Sequence, residues 1–169
     1  MPTVALVGLG SNLAHPRRQI ARAIAELARL PRTRVDRVSP NYVTAPIACD
    51  DAQPDYVNAV VALRTALAPV SLLKRLQAIE RRQGRVRHAA SPRNSPRTLD
   101  LDLLLYDRRR MHLPHMTVPH PRMHERAFVL RPLLDIAPAI AIPGHGAAQR
   151  AIKKVRWQRI ARTRRHRQY

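Results

Sequence analysis

The stretch PRTLDLDLLLYD, residues 96–107, places two aspartates inside an otherwise apolar run. Side chains alternate faces along a β-strand, so Asp100 and Asp102 share one face while Leu99, Leu101 and Leu103 share the other. Carboxylates that close repel each other unless a cation lies beside them. A hard divalent cation meets that need, and Mg2+ typically takes one or two protein carboxylates together with nucleotide phosphates. A half-solvated strand with its polar residues outward fits the same pattern. Arg81, Arg82, Arg85, Arg87, Arg93 and Arg97 closely precede the pair. Guanidiniums beside paired carboxylates suit a polyphosphate–metal complex, with donors for phosphate and oxygens for metal.

Upstream of this strand, residues 85–97 combine prolines with arginines and read as a basic loop. Before it, Ala68-Pro69 opens a helix with Leu72, Leu73, Leu76 and Ile79 on its apolar face, and Gly84 ends it. YVNAVVALRTAL, residues 56–67, is a strand on which Tyr56 and Asn58 share a face. An aromatic surface beside an amide suits a flat heterocycle, and equally a core tyrosine with a polar edge residue. TAPIACDDAQPD, residues 44–55, reads as a loop, and Val35, Val38 and Val43 as one strand that Pro40 makes an edge or bulged one. Pro16 opens a helix over about residues 16–29, with Ile20, Ile24, Leu27 and Leu30 at helical spacing. Thr3 to Leu9 is a buried strand expected to turn at GLGSN.

Downstream, a Pro- and His-rich loop leads to a short helix in RAFVLRPLLDIAP, residues 126–138. The resulting order is the split βαβ, ferredoxin-like pattern βαββαβ of an α+β fold. It predicts a mostly antiparallel sheet with helices, in a three-layer α/β/α sandwich. Residues 1–149 form the expected domain, and 150–169 a basic C-terminal tail, helical or disordered.

A chain of 169 residues can bury a full core in one domain. Aromatics are only 4% of it, which excludes an extensive base-stacking surface. The single cysteine, Cys49, forms no intrachain disulfide, and neither a signal peptide nor a membrane-spanning run is present, so a cytoplasmic protein is expected. The net charge of +20 points to an anionic partner, and nine of the 31 Lys/Arg lie from Arg150 onward. Neither a P-loop nor a Rossmann fingerprint occurs, so any ATP site is held by side chains. His115, His120 and His124 lack zinc spacing because Pro121 interrupts them, and His120 after Pro119 is better placed for a phosphate.

GLGSNL, QPDYVNAVV, PRTLDLDLLLYD and VPHPRMHERAFVLRPLLDIAP, in this order, resemble the 6-hydroxymethyl-7,8-dihydropterin pyrophosphokinase family over about residues 3–143. The resemblance implies transfer of pyrophosphate from ATP to the pterin hydroxymethyl oxygen, with release of AMP, in folate biosynthesis. It implies two Mg2+ ions on Asp100 and Asp102, catalytic-loop arginines at Arg85 and Arg97, and nucleotide contacts from Gln77, Glu80, Arg87, His120 and Arg126. Glu80 would accept hydrogen bonds from the ribose. Tyr56, Asn58 and Phe128 would form the pterin pocket, with Thr44, Ala45 and Ile47 as its walls. ATP and the pterin would be the partners of a monomer that touches no membrane and meets nucleic acid only nonspecifically, through its tail. Against an enzyme, the charge and the tail suggest a nucleic-acid-binding protein, but no RNA-binding signature accompanies them. A further alternative is a regulatory domain that binds nucleotide without turnover, against which stands the intact set of Arg85, Arg97, Asp100, Asp102 and His120.

Overall fold

Strand β1 (Thr3–Ser11) is apolar on both faces, and each face meets a different core. Ala5, Val7 and Leu9 pack with residues of α1 (Pro16–Ala28) and α2 (Pro69–Arg82), while Leu6 packs with α3 (Ala127–Ile136) and α4 (Ala148–Lys154). Period-two alternation thus divides one strand between two helical layers. In this computed structural model, which describes residues 1–13, 15–45, 54–84 and 99–163, the result is a three-layer α/β/α sandwich.

β1 is antiparallel to β4 (Tyr56–Thr65) on one side and to β5 (Asp100–Tyr106) on the other. Beyond β4 lie β2 (Thr33–Val38) and β3 (Tyr42–Thr44), and β10 (Ile160–Arg162) closes that edge. The order is β10-β3-β4-β1-β5, with β2 also paired to β4, so the core has the expected ferredoxin-like βαββαβ arrangement. Two hairpins, β6 (Met111–Leu113) with β7 (Met116–Val118) and β8 (Ala141–Ile142) with β9 (Gly146–Ala147), flank α3 in sequence. Pro16 and Pro69 sit in the first turns of α1 and α2, where the missing N–H costs nothing. Among the described residues, no helix is long and apolar enough to cross a membrane.

Four local readings change. Gly8 to Ser11 continue β1 rather than turning, because they pair with Val57 to Val60 of β4. Pro40, which lacks a ladder donor, separates β2 from β3, so the single strand expected there is two. A register shift between Leu6 and Val7 pairs them with Leu105 and Leu103, leaving Leu104 as an extra residue in β5. Leu104 and Leu105 both enter the α3/α4 core, so alternation along this strand is reset halfway. Finally, the segment read as a tail is built into the fold up to Thr163. Ala151, Ile152 and Val155 are core residues, and β10 pairs with β3 through Ile160↔Thr44 and Arg162↔Tyr42.

Candidate active site

The register of β1 with both neighbours places Gly10 opposite Asn58 on β4 and opposite Asp100 on β5. These three residues form a row across the sheet on the α3/α4 side. At one strand spacing per step, Asn58 and Asp100 lie roughly 10 Å apart. Gly8 in turn pairs with Asp102 and packs against the Leu104 side chain, while Gly10 leaves the floor between amide and carboxylates bare. Over this floor lies a cleft of about 350 Å³, to which Tyr56, Asn58, Asp100, Asp102 and Phe128 all contribute.

Asn58 is 5% exposed, and its Nδ2 donates to Thr44 Oγ1 at 2.9 Å, which fixes the amide's orientation. Its Oδ1 faces Gly10, where an added Cβ would come within 3.1 Å of it. Gly10→Ala is therefore expected to push the Asn58 amide aside, off Thr44, at a cost of about 1 kcal/mol in stability. Thermal unfolding and the variant's crystal structure check this: an Asn58 amide left in place at parental stability would mean that the strands give way instead. Thr44 is itself held through β3, where the buried Tyr42 hydroxyl donates to the Asp135 carboxylate on α3. Burial first, and Asp135 second, push the Tyr42 phenol up to about 12, so it remains a donor.

Asp100 and Asp102 are half-buried and point into the cleft from the edge strand β5. Between them, the Leu101 N–H donates to Glu80 Oε2 at 3.0 Å, tying the last turn of α2 to this strand. Glu80 is 2% exposed, and this bond ties it to the backbone that carries the two aspartates. Gln77 lies half-buried on α2, away from the cleft lining.

Arg122 and Arg126 line the same cleft as the carboxylates. The Arg126 guanidinium carbon lies 5.4 Å from the centre of the Phe128 ring, a cation–π contact on one of its faces. His120 does not line the cleft but feels both Arg126 and Asp100. Burial and then the Arg126 charge, opposed by Asp100, pull its pKa down to about 4. At neutral pH the ring is uncharged. Nδ1 accepts the Arg122 N–H at 3.2 Å, so the remaining proton sits on Nε2 as a donor.

Thr44, Ala45, Tyr56, Asn58, Asp100, Asp102, Arg126 and Phe128 are thus brought to one cleft. Ile47, Arg85, Arg87 and Arg97 lie outside the described residues. Gly10, Arg122, Glu125, Trp157 and Gln158 also line the cleft, and the sequence reading passed over them. Gly10 was hidden in a motif read as a turn. Trp157 and Gln158 sit in the segment taken for a tail, and only the lone tryptophan in a basic run set them apart.

Known proteins resemble the chain along most of its length. A family model described as 7,8-dihydro-6-hydroxymethylpterin-pyrophosphokinase (HPPK) matches residues 6–138. The 2-amino-4-hydroxy-6-hydroxymethyldihydropteridine pyrophosphokinase of Pseudomonas aeruginosa is 53% identical over 137 residues, covering 81% of this chain and 82% of that protein. Its namesake from Haemophilus influenzae is 41% identical over 150 residues, covering 89% and 91%. A solved structure of an HPPK-DHPS in complex with substrates shares the fold at TM-score 0.71 and 13% identity; the alignment covers 91% of this chain and 43% of that one. The chain belongs to the 7,8-dihydro-6-hydroxymethylpterin-pyrophosphokinase family and transfers pyrophosphate from ATP to 6-hydroxymethyl-7,8-dihydropterin in folate synthesis.

Proposed function

We propose that the row Asn58–Gly10–Asp100 spans the two halves of this reaction, with the pterin ring at the Asn58 end and the triphosphate at the aspartate end. The observation that carries this reading is the register of β1, which sets a rigid amide and a carboxylate pair in one cleft. The roughly 10 Å between them accommodates a bicyclic ring whose hydroxymethyl arm points at the aspartates.

Asp100 and Asp102 would hold two Mg2+ ions, since two carboxylates on one strand face are a hard oxygen set that phosphate and water complete. When bound, the metal neutralises the triphosphate and acidifies the attacking alcohol. The pterin hydroxymethyl oxygen forms a bond to the β-phosphorus as the bond between that phosphorus and the oxygen bridging to the α-phosphate breaks, and AMP leaves. The alcohol's proton passes to solvent. Asn58, held by Thr44, reads the polar edge of the ring, while Tyr56 and Phe128 cover its faces. Arg122 and Arg126 neutralise phosphate oxygens, and His120 offers its Nε2–H to them as a neutral donor. Arg85 and Arg97 stabilise charge on the transferring group, and Arg87 binds the nucleotide.

The expected result with purified protein is AMP formation that requires Mg2+ and the pterin alcohol together. Product chromatography checks it. ADP as the nucleotide product, or AMP formed without the pterin, would overturn the assignment of the attacked phosphorus and of its attacker.

A further inference from the structure

The family match stops at residue 138, but the cleft continues beyond it. Trp157 and Gln158, from the turn joining α4 to β10, line the same cleft as Tyr56, Asn58 and Phe128. The Trp157 side chain is 77% exposed. One exposed aromatic is by itself ordinary. This one stands in a concave wall, on a backbone fastened from both sides.

Two residues before it, Val155 is buried in the α3/α4 core. Directly after it, the Gln158 amide spends both its ends on the junction that presents Arg126 and Phe128. Oε1 accepts the Ala127 N–H at 2.8 Å, and Nε2 donates to the Glu125 carbonyl at 2.8 Å. Three residues on, Ile160 pairs with Thr44, the same threonine that orients Asn58. A ring left open to solvent on so constrained a backbone is preorganised for a ligand surface. Its connections lead to Thr44 and Phe128, at the Asn58 end of the row.

We infer that Trp157 is a substrate-binding residue whose indole closes over the pterin ring as an aromatic wall additional to Tyr56 and Phe128, with Gln158 as its positioning residue. The inference rests on the placement of the pterin at Asn58. A flat heterocycle gains from stacking in proportion to covered area, and removing one aromatic partner of a base costs about a factor of ten or more.

Trp157 is the only tryptophan in the chain, so intrinsic fluorescence reports on this residue alone. On titration with 6-hydroxymethylpterin, its emission is expected to become protected from acrylamide quenching. Trp157→Ala is expected to raise the pterin KM about tenfold while the ATP KM and the melting temperature stay put, because the exposed ring supports little of the fold. Trp157→Phe restores most of the loss, which a merely structural role would not predict. Unchanged acrylamide quenching while calorimetry records pterin binding overturns the inference, as does a rise in the ATP KM alone. Asn58→Ala separates the two levels. If it raises the pterin KM and Trp157→Ala does not, only the tryptophan's role falls; if neither raises it, the pterin placement is wrong.

Discussion

Asp100→Ala is expected to lose about a thousandfold in AMP formation, which corresponds to roughly 4 kcal/mol of transition-state stabilisation. Asp102→Ala should fall by a similar factor. The carboxylates share one strand face, and on the proposed reading they hold the metal pair together, which one of them alone could not do. The fold should not suffer. Both side chains are half-buried in the cleft rather than packed in either core. Melting temperatures close to the parent's, combined with the lost rate, are therefore the result to look for in calorimetry and product assays. An Asp100→Ala variant that kept more than a tenth of the parent rate would sink the two-carboxylate reading.

Truncation before Arg150 should abolish folding rather than trim a dispensable tail. It removes Ala151, Ile152 and Val155 from the α3/α4 core, breaks α4 after two residues, and strips β10 from the edge of the sheet. Losing a buried aliphatic side chain costs about 2–5 kcal/mol, so the combined loss is comparable to the roughly 5–15 kcal/mol that stabilises a typical domain. Gln158 also leaves, and with it both hydrogen bonds to the Glu125–Ala127 junction. No cooperative thermal transition by circular dichroism is expected. A chain stopped after Thr163 keeps every one of these contacts and should melt like the full chain. If the shorter truncate folds with parental stability, α4 and β10 are not the structural elements described here.

Much of the core was legible in the sequence because its signals are local. Pro16 and Pro69 mark helix starts, the alternation through Tyr56, Asn58 and Val60 marks a two-faced strand, and Asp100 and Asp102 stand out against leucine. The signals that failed depend on partners far away in sequence. β10 is three mostly exposed residues in a basic run, and only its pairing with β3 makes it a strand. Gly10 looks like a turn residue until β4 is set beside it, where the glycine makes room for Asn58. Glu80 accepts a hydrogen bond from the Leu101 N–H, a group that no side-chain pattern announces. Leu104 is indistinguishable from its neighbours in composition, and only the register with β1 reveals it as the extra residue.

The row Asn58–Gly10–Asp100 draws one residue from each of three strands that are neighbours in space and distant along the chain. No excised segment of the protein contains all three strands unless it runs from Thr3 to Tyr106, and so takes in five of the six strands of the sheet. Recognition and chemistry are therefore inherited together: recombination that exchanged one strand for a foreign one would have to preserve the register on both of its sides. The indivisible unit is the weave of the three central strands.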